Sequence, residues 1–402
     1  MHGWLLPLVL LGAAPAWLRQ DTSAVEVQDF SGAFDRNPRM YWQHHLPGGR
    51  PASGAGSELG RPGLLMGSVI VGSSASDALY ELRRDDGTFI RAFPAGGPVM
   101  AEAAVLDDGL LFSDSAGYTW RYTRDGRQVW KHYAGAPVLA RPEVVDDTVY
   151  VSALDGTVHA LDAANGGSRW YYKHPHDGTR ASDLELYGAP APVAAGDLVL
   201  VGFHDGSLVA LARADGEVQW ESRVGEGRYP DLIGPPLVLE HDIYIGGFSS
   251  PFVALDLETQ NVRWRLDIGV ASQAVASGRA LYIPGSDGKL RAVDRVTSAE
   301  LWLWDSLTAG ALTSPQLTEA GLLVGSSDGG LWLVDPTTGT ERWHLDEGAM
   351  LNGVSAAPAI DGRQAMVVTN AGNLISLVVP APDMAGAHDE QPLWRPPFAA
   401  PR

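Results

Sequence analysis

The chain has no cysteine. That excludes disulfides, thiolate-held zinc, iron-sulfur clusters and thiol nucleophiles, and it leaves no lipid-anchor Cys. Basic residues are scarce: 29 Lys and Arg stand against 48 Asp and Glu, for a formal net charge of -19. A surface of that sign repels a phosphate backbone and an anionic bilayer, so no nucleic-acid partner is expected. Long hydrophobic runs are missing too, since no stretch reaches the ~20 apolar residues that a membrane-crossing helix needs. No transmembrane segment is predicted. The apolar run from Trp4 to Ala16 is too short to span a bilayer and ends in the small-x-small pattern Ala14-Pro15-Ala16, the form of a signal peptide with its cleavage site. Residues 1–16 are therefore expected to direct export, to the periplasm or cell envelope or out of the cell.

What the chain does have is glycine (47), proline (27) and 13 Trp spread along its length, a composition of many short strands joined by turns. One unit recurs. It is clearest from Asp155 to Trp170: an Asp-Gly turn, alternating apolar residues, a second turn and a closing Trp. The same frame returns from Asp205 to Trp220, Asp287 to Trp302 and Asp328 to Trp343, and the interval from the turn Gly to the Trp is 14 residues each time. Weaker copies run from Ala116-Gly117 to Trp130, from Ser250 to Trp264, from Asp77 to Arg91 and from Ala371-Gly372 to Leu377, making eight. Each copy follows an apolar strand of its own, such as Leu198 to Gly202, so every unit holds four short strands.

A helix-free repeat of about 40 residues buries its faces by stacking radially, which predicts an all-β fold, an eight-bladed β-propeller. The last copy lacks its Trp strand, while Met40 to Leu46 is an orphan strand carrying Trp42. The N-terminal strand is expected to complete the last blade and lock the ring. Residues 17–39 then form a lead segment and 40–379 the propeller. The Pro/Ala-rich stretch 380–402 has the composition of a disordered tail.

The motifs that invite catalytic readings have plainer explanations. Asp-Gly pairs suit tight hairpins, because Gly reaches φ > 0 and Asp bonds its own local backbone. The repeat Trp residues are expected to pack between blades. Gly325-Ser326-Ser327-Asp328-Gly329 matches a nucleophile elbow, but it occupies the hairpin position that Gly202 to Gly206 fills in another copy, and an elbow needs a strand-turn-helix context. His174-Pro175-His176 and His44-His45 lack metal-site spacing and read as exposed loop histidines. No phosphate-cradling glycine loop is present. No catalytic residue, cofactor or metal ligand is expected.

The repeat, with its Asp-Gly-x-Leu-x-Ala-Leu-Asp core and terminal Trp, resembles the propeller repeat of the PQQ enzymes over residues 40–379. Dehydrogenases of that type hold PQQ beneath a vicinal disulfide and bind calcium through carboxylate and Asn ligands. A cysteine-free chain cannot form that disulfide, so a PQQ-dependent dehydrogenase is the least favoured reading. In length, blade number and order the chain is more similar to the BamB family, the propeller subunits of the outer-membrane β-barrel assembly machinery. The stretch Asp183-Leu184-Glu185-Leu186-Tyr187-Gly188-Ala189-Pro190-Ala191-Pro192 resembles that family's Leu-x-Leu-Arg-Gly-x-x-Ala-Pro loop, with Tyr187 in place of Arg. Pro230-Asp231-Leu232-Ile233-Gly234-Pro235-Pro236 resembles its Asp-x-Asp loop, with Ile233 at the second acid. The resemblance implies a non-enzymatic, monomeric scaffold that binds the periplasmic domains of the barrel-assembly subunit through Leu184, Leu186, Tyr187, Asp231 and Leu232. The residues leave open an exported propeller that binds another protein or a glycan, and leave open that the leucines merely cap a blade.

Overall fold

The computed structural model describes residues 39–47, 60–175, 190–227, 229–308, 310–345 and 352–380. The expected signal peptide, most of the lead segment, all but the first residue of the tail, and Leu184, Leu186 and Tyr187 lie outside them. Among the described residues thirty-two strands, β1 to β32 in chain order, form eight four-stranded antiparallel sheets. Blades 1 to 7 span residues 63–94, 104–133, 143–173, 193–223, 237–266, 275–305 and 316–345. Blade 8 joins 359–378 to β1, Arg39–His45. Within each blade the strands are a, b, c and d from the axis outward. The a strands of blades 8, 1 and 2 approach one another in turn, and so do those of blades 7 and 8, which closes the ring.

The closure is the one read from the sequence. β1 pairs antiparallel with β32, Asn373–Val378, matching Met40 to Leu377 and His45 to Asn373 across a bulge between Met40 and Trp42. The ends of the folded ring thereby share one sheet, in which β1 is the outer strand and covers the edge that β32 would otherwise present. Trp42 is 1% exposed, in a core drawn from blades 8 and 1 that includes Tyr80, Leu82, Met366 and Leu374.

Two turns explain why this repeat builds blades. In the b–c turn, Gly156 and Gly206 take φ of 78° and 90°, and the preceding Asp155 and Asp205 accept backbone N–H bonds from Thr157 (3.1 Å) and Ser207 (3.0 Å). The Asp-Gly pairs are local turn chemistry, as expected. In the c–d turn, a second glycine forms the seat for the preceding blade's tryptophan. A Cβ at Gly87, Gly166, Gly216 or Gly339 would fall 2.5–2.6 Å from the ring of Trp42, Trp130, Trp170 or Trp302. Each of these indoles donates its N–H to a neighbouring carbonyl: Arg84, Ala163, Arg213 and Pro336, at 2.9–3.0 Å. Adjacent blades are thus held by a buried ring with its one polar atom satisfied. Ser327 lies in the turn after the b strand of blade 7, Gly321–Gly325, with no helix following, so the elbow context is absent there.

Candidate functional site

A b–c turn and the loop that leaves its blade (the d–a loop) lie on one face of the ring, because the two are bonded to each other repeatedly. A buried apolar residue in each of five d–a loops donates its backbone N–H to the b–c turn of the blade just left: Val138 to Asp114, Leu232 to Phe203, Val270 to Gly247, Leu312 to Gly285 and Val354 to Ser326. All five are at most 2% exposed. This corrects the reading of Leu232 as a partner contact. It is 0% exposed, belongs to the core shared by blades 4 and 5, and forms a bridge with Gly247. Leu232 is one of five plugs that seal the seam between turn and loop. A signal was present in the sequence, since an apolar residue stands four or five positions before the next a strand in each of these loops.

The acid beside it is placed differently. Asp231 keeps 15% of its side chain exposed, and its Oδ1 lies 3.5 Å from His204 Nδ1. His204 sits in the b–c turn of blade 4. The next residue of that turn, Asp205, binds the other loop: its Oδ2 lies 3.0 Å from Nε2 of His174, where the 3→4 loop begins. One dipeptide, His204-Asp205, therefore pairs with both loops. The contact continues at Gly202, where an added Cβ would meet Leu232 at 3.0 Å and Pro190, on the 3→4 loop, at 3.2 Å. Pro190 is fixed in turn through its carbonyl, which accepts the Ser152 hydroxyl at 2.8 Å. His174 and Pro190 of the 3→4 loop and Asp231 and Leu232 of the 4→5 loop thus meet around a single turn.

His174 is not the exposed loop histidine expected. It is 2% exposed, stacks on Phe203 with ring centroids 4.0 Å apart, and has the Tyr172 hydroxyl 3.2 Å from its Nδ1. A histidine can be buried there because both ring nitrogens have partners. Burial opposes ionisation of Asp205, but bonds from His174 and Ser207 outweigh it and hold the carboxyl well below the usual carboxylate range. Sequence reasoning missed this pair, which joins residues 31 positions apart. His44 is half-buried and His45 exposed; His176 is outside the described residues. Among the described residues, no three His, Asp or Glu side chains are placed to share a metal ion, and no helix is long and apolar enough to cross a membrane.

A family model described as outer membrane protein assembly factor BamB matches residues 33–303 and 269–380. The BamB of Shewanella oneidensis is 24% identical over 208 residues, covering 50% of this chain and 51% of that protein. The BamB of Alkalilimnicola ehrlichii is 34% identical over 139 residues, covering 33% and 36%. The chain spans about half the length of the first curated relatives it matches. Among solved structures, BamB from Moraxella catarrhalis superposes with a TM-score of 0.71 at 19% identity, covering 85% of this chain and 100% of that one. The quinohemoprotein alcohol dehydrogenase of Comamonas testosteroni gives 0.67 at 14% identity, covering 86% and 77%. At these identities both structures speak for the propeller alone.

Proposed function

The chain belongs to the family of the outer membrane protein assembly factor BamB, and on that premise we propose that it is a non-enzymatic scaffold in the assembly of outer-membrane β-barrel proteins. It works from the cell envelope by binding a protein partner, the periplasmic domains of the barrel-assembly subunit. The binding surface is the patch built by the 3→4 and 4→5 loops, with Leu184, Leu186 and Tyr187 on the first and Asp231 on the second. Leu232 is removed from that surface and kept as the plug beneath it.

The observation that carries this reading is the double pairing of the His204-Asp205 turn. A rigid turn that ties two loops together presents a preorganised surface, and preorganisation lowers the ordering cost of association. Apolar anchors beside an acid that sets register and encounter rate make a workable protein interface. The test is binding of the purified periplasmic domains of the barrel-assembly subunit to the intact protein and to Asp231→Ala. A loss of affinity at unchanged melting temperature supports the surface, and unchanged affinity counts against it.

A further inference from the structure

The same face carries a second feature one blade further on. Blade 5 is the copy in which Ser249-Ser250 replaces the Asp-Gly of the b–c turn. Ser250 is 1% exposed, and its hydroxyl bonds both the N–H (3.1 Å) and the carbonyl (3.3 Å) of Glu226 in the 4→5 loop. That staple holds Glu226 at the mouth of a cleft of about 340 Å³, lined also by Pro251, Arg265, Asp267 and Gly269. Arg265 makes two bonds to Glu226, at 2.7 and 3.0 Å, and one to Asp267 at 3.0 Å. Its guanidinium is thereby engaged by two carboxylates. The three side chains sum to one negative charge, and the carboxylates stay open to solvent, with 54% of the Glu226 side chain and 83% of Asp267 exposed.

Apolar side chains gather in the same sector. Among the described residues, the large hydrophobics exposed in the b–c turns and d–a loops are Tyr229 (38%), Phe248 (39%) and Leu307 (91%), all between blades 4 and 7. Tyr229 follows Gly227 by two positions, and Phe248 adjoins Ser249, so two of the three flank residues that line the cleft. A concave wall of net negative charge suits a cation, and exposed aromatic residues stand within two positions of its lining residues. It is also continuous with the Asp231 patch through the 4→5 loop.

We propose that this cleft receives a lysine or arginine side chain of the protein partner that sits on this face, so that the partner's footprint extends from blades 3 and 4 onto blades 5 and 6. The inference rests on the functional reading above for the presence of a partner, but its chemistry is tested separately. The capped tripeptides Gly-Arg-Gly, Gly-Lys-Gly and Gly-Glu-Gly are titrated into the isotopically labelled full chain, and the amide signals of Gly227 and Gly269 are followed. The arginine and lysine peptides are expected to shift both signals. In Glu226→Gln/Asp267→Asn that binding should weaken by about fivefold or more, the scale for losing two exposed charges, with the melting temperature unchanged. Asp231→Ala should leave it intact. The glutamate peptide binding as well as the basic ones would overturn the proposal and make Arg265 an anion site, as would no shift with any peptide. With the purified partner, lost affinity in Asp231→Ala but full affinity in Glu226→Gln/Asp267→Asn would sink this inference alone. Full affinity in both would sink the functional reading as well.

Discussion

Replacing Trp42 with Ala tests whether an N-terminal strand carries the closure of the ring. The indole is 1% exposed and lies on Gly87 in the core between the last and first blades. Removing it deletes most of a large buried side chain, and the rigid seat of two packed blades cannot collapse to fill the gap. Such losses cost ~3–5 kcal/mol. The hydrogen bond adds little, because the Arg84 carbonyl freed by the indole still accepts from Gln364 Nε2 at 3.0 Å. A ring of this size has an unfolding entropy on the order of 0.7 kcal/mol/K, so the penalty corresponds to a fall of about 4–7 °C in melting temperature. Trp130→Ala, the same position between blades 2 and 3, supplies the scale, and both variants are compared with wild type by calorimetry at one scan rate. Trp42→Phe should fall between, since it keeps a ring and loses the N–H. The reasoning fails if Trp42→Ala melts within about 1 °C of wild type while Trp130→Ala falls by several degrees, for then the N-terminal strand frays without consequence.

Further outcomes follow from the same geometry. A chain starting after Leu46 leaves the ladder of β32 unpaired and should be insoluble or associate through that edge, which expression and light scattering will show. Leu232→Ala should cost ~2–5 kcal/mol of stability as a cavity in the blade 4 and 5 core, read as a fall in melting temperature. For Asp205, a carboxyl held below its unfolded value stabilises the fold above the unfolded pKa near 4, and that stability is lost as pH falls through the folded value. The stability gap between wild type and Asp205→Asn should therefore shrink as pH falls below about 4; a gap that widens with acid would reverse the assignment. Calorimetric titration with PQQ and with calcium should give no heat of binding at micromolar concentrations, and saturable binding of either would reopen the dehydrogenase reading.

The architecture was legible because its causes are local. Asp-Gly turns, alternating strands and a Trp at fixed distance each act within about 15 residues, and the orphan Trp42 strand could be placed because blade 8 lacked one. What lay beyond reading was set between blades. The c–d glycines look like ordinary turn residues until the preceding blade's indole is found on them. His174 looks like loop decoration until Phe203 and Asp205 cover it. Leu232 is buried for a different reason: it holds the position that Val138, Val270, Leu312 and Val354 hold in four sister loops, a repeat that the family pattern does not carry. Asp231 differs from its neighbour because its own side chain reaches an adjacent turn at the rim, which no periodicity encodes.

The most direct test of the scaffold reading is the affinity of the purified periplasmic domains of the barrel-assembly subunit for Leu184→Ala/Leu186→Ala, measured beside the melting temperature of the same variant. The account predicts a loss of ~2 kcal/mol or more, roughly thirtyfold in Kd, with the melting temperature unchanged. Wild-type affinity together with a melting temperature several degrees lower would contradict it, because those leucines would then be blade caps of the kind Leu232 proved to be.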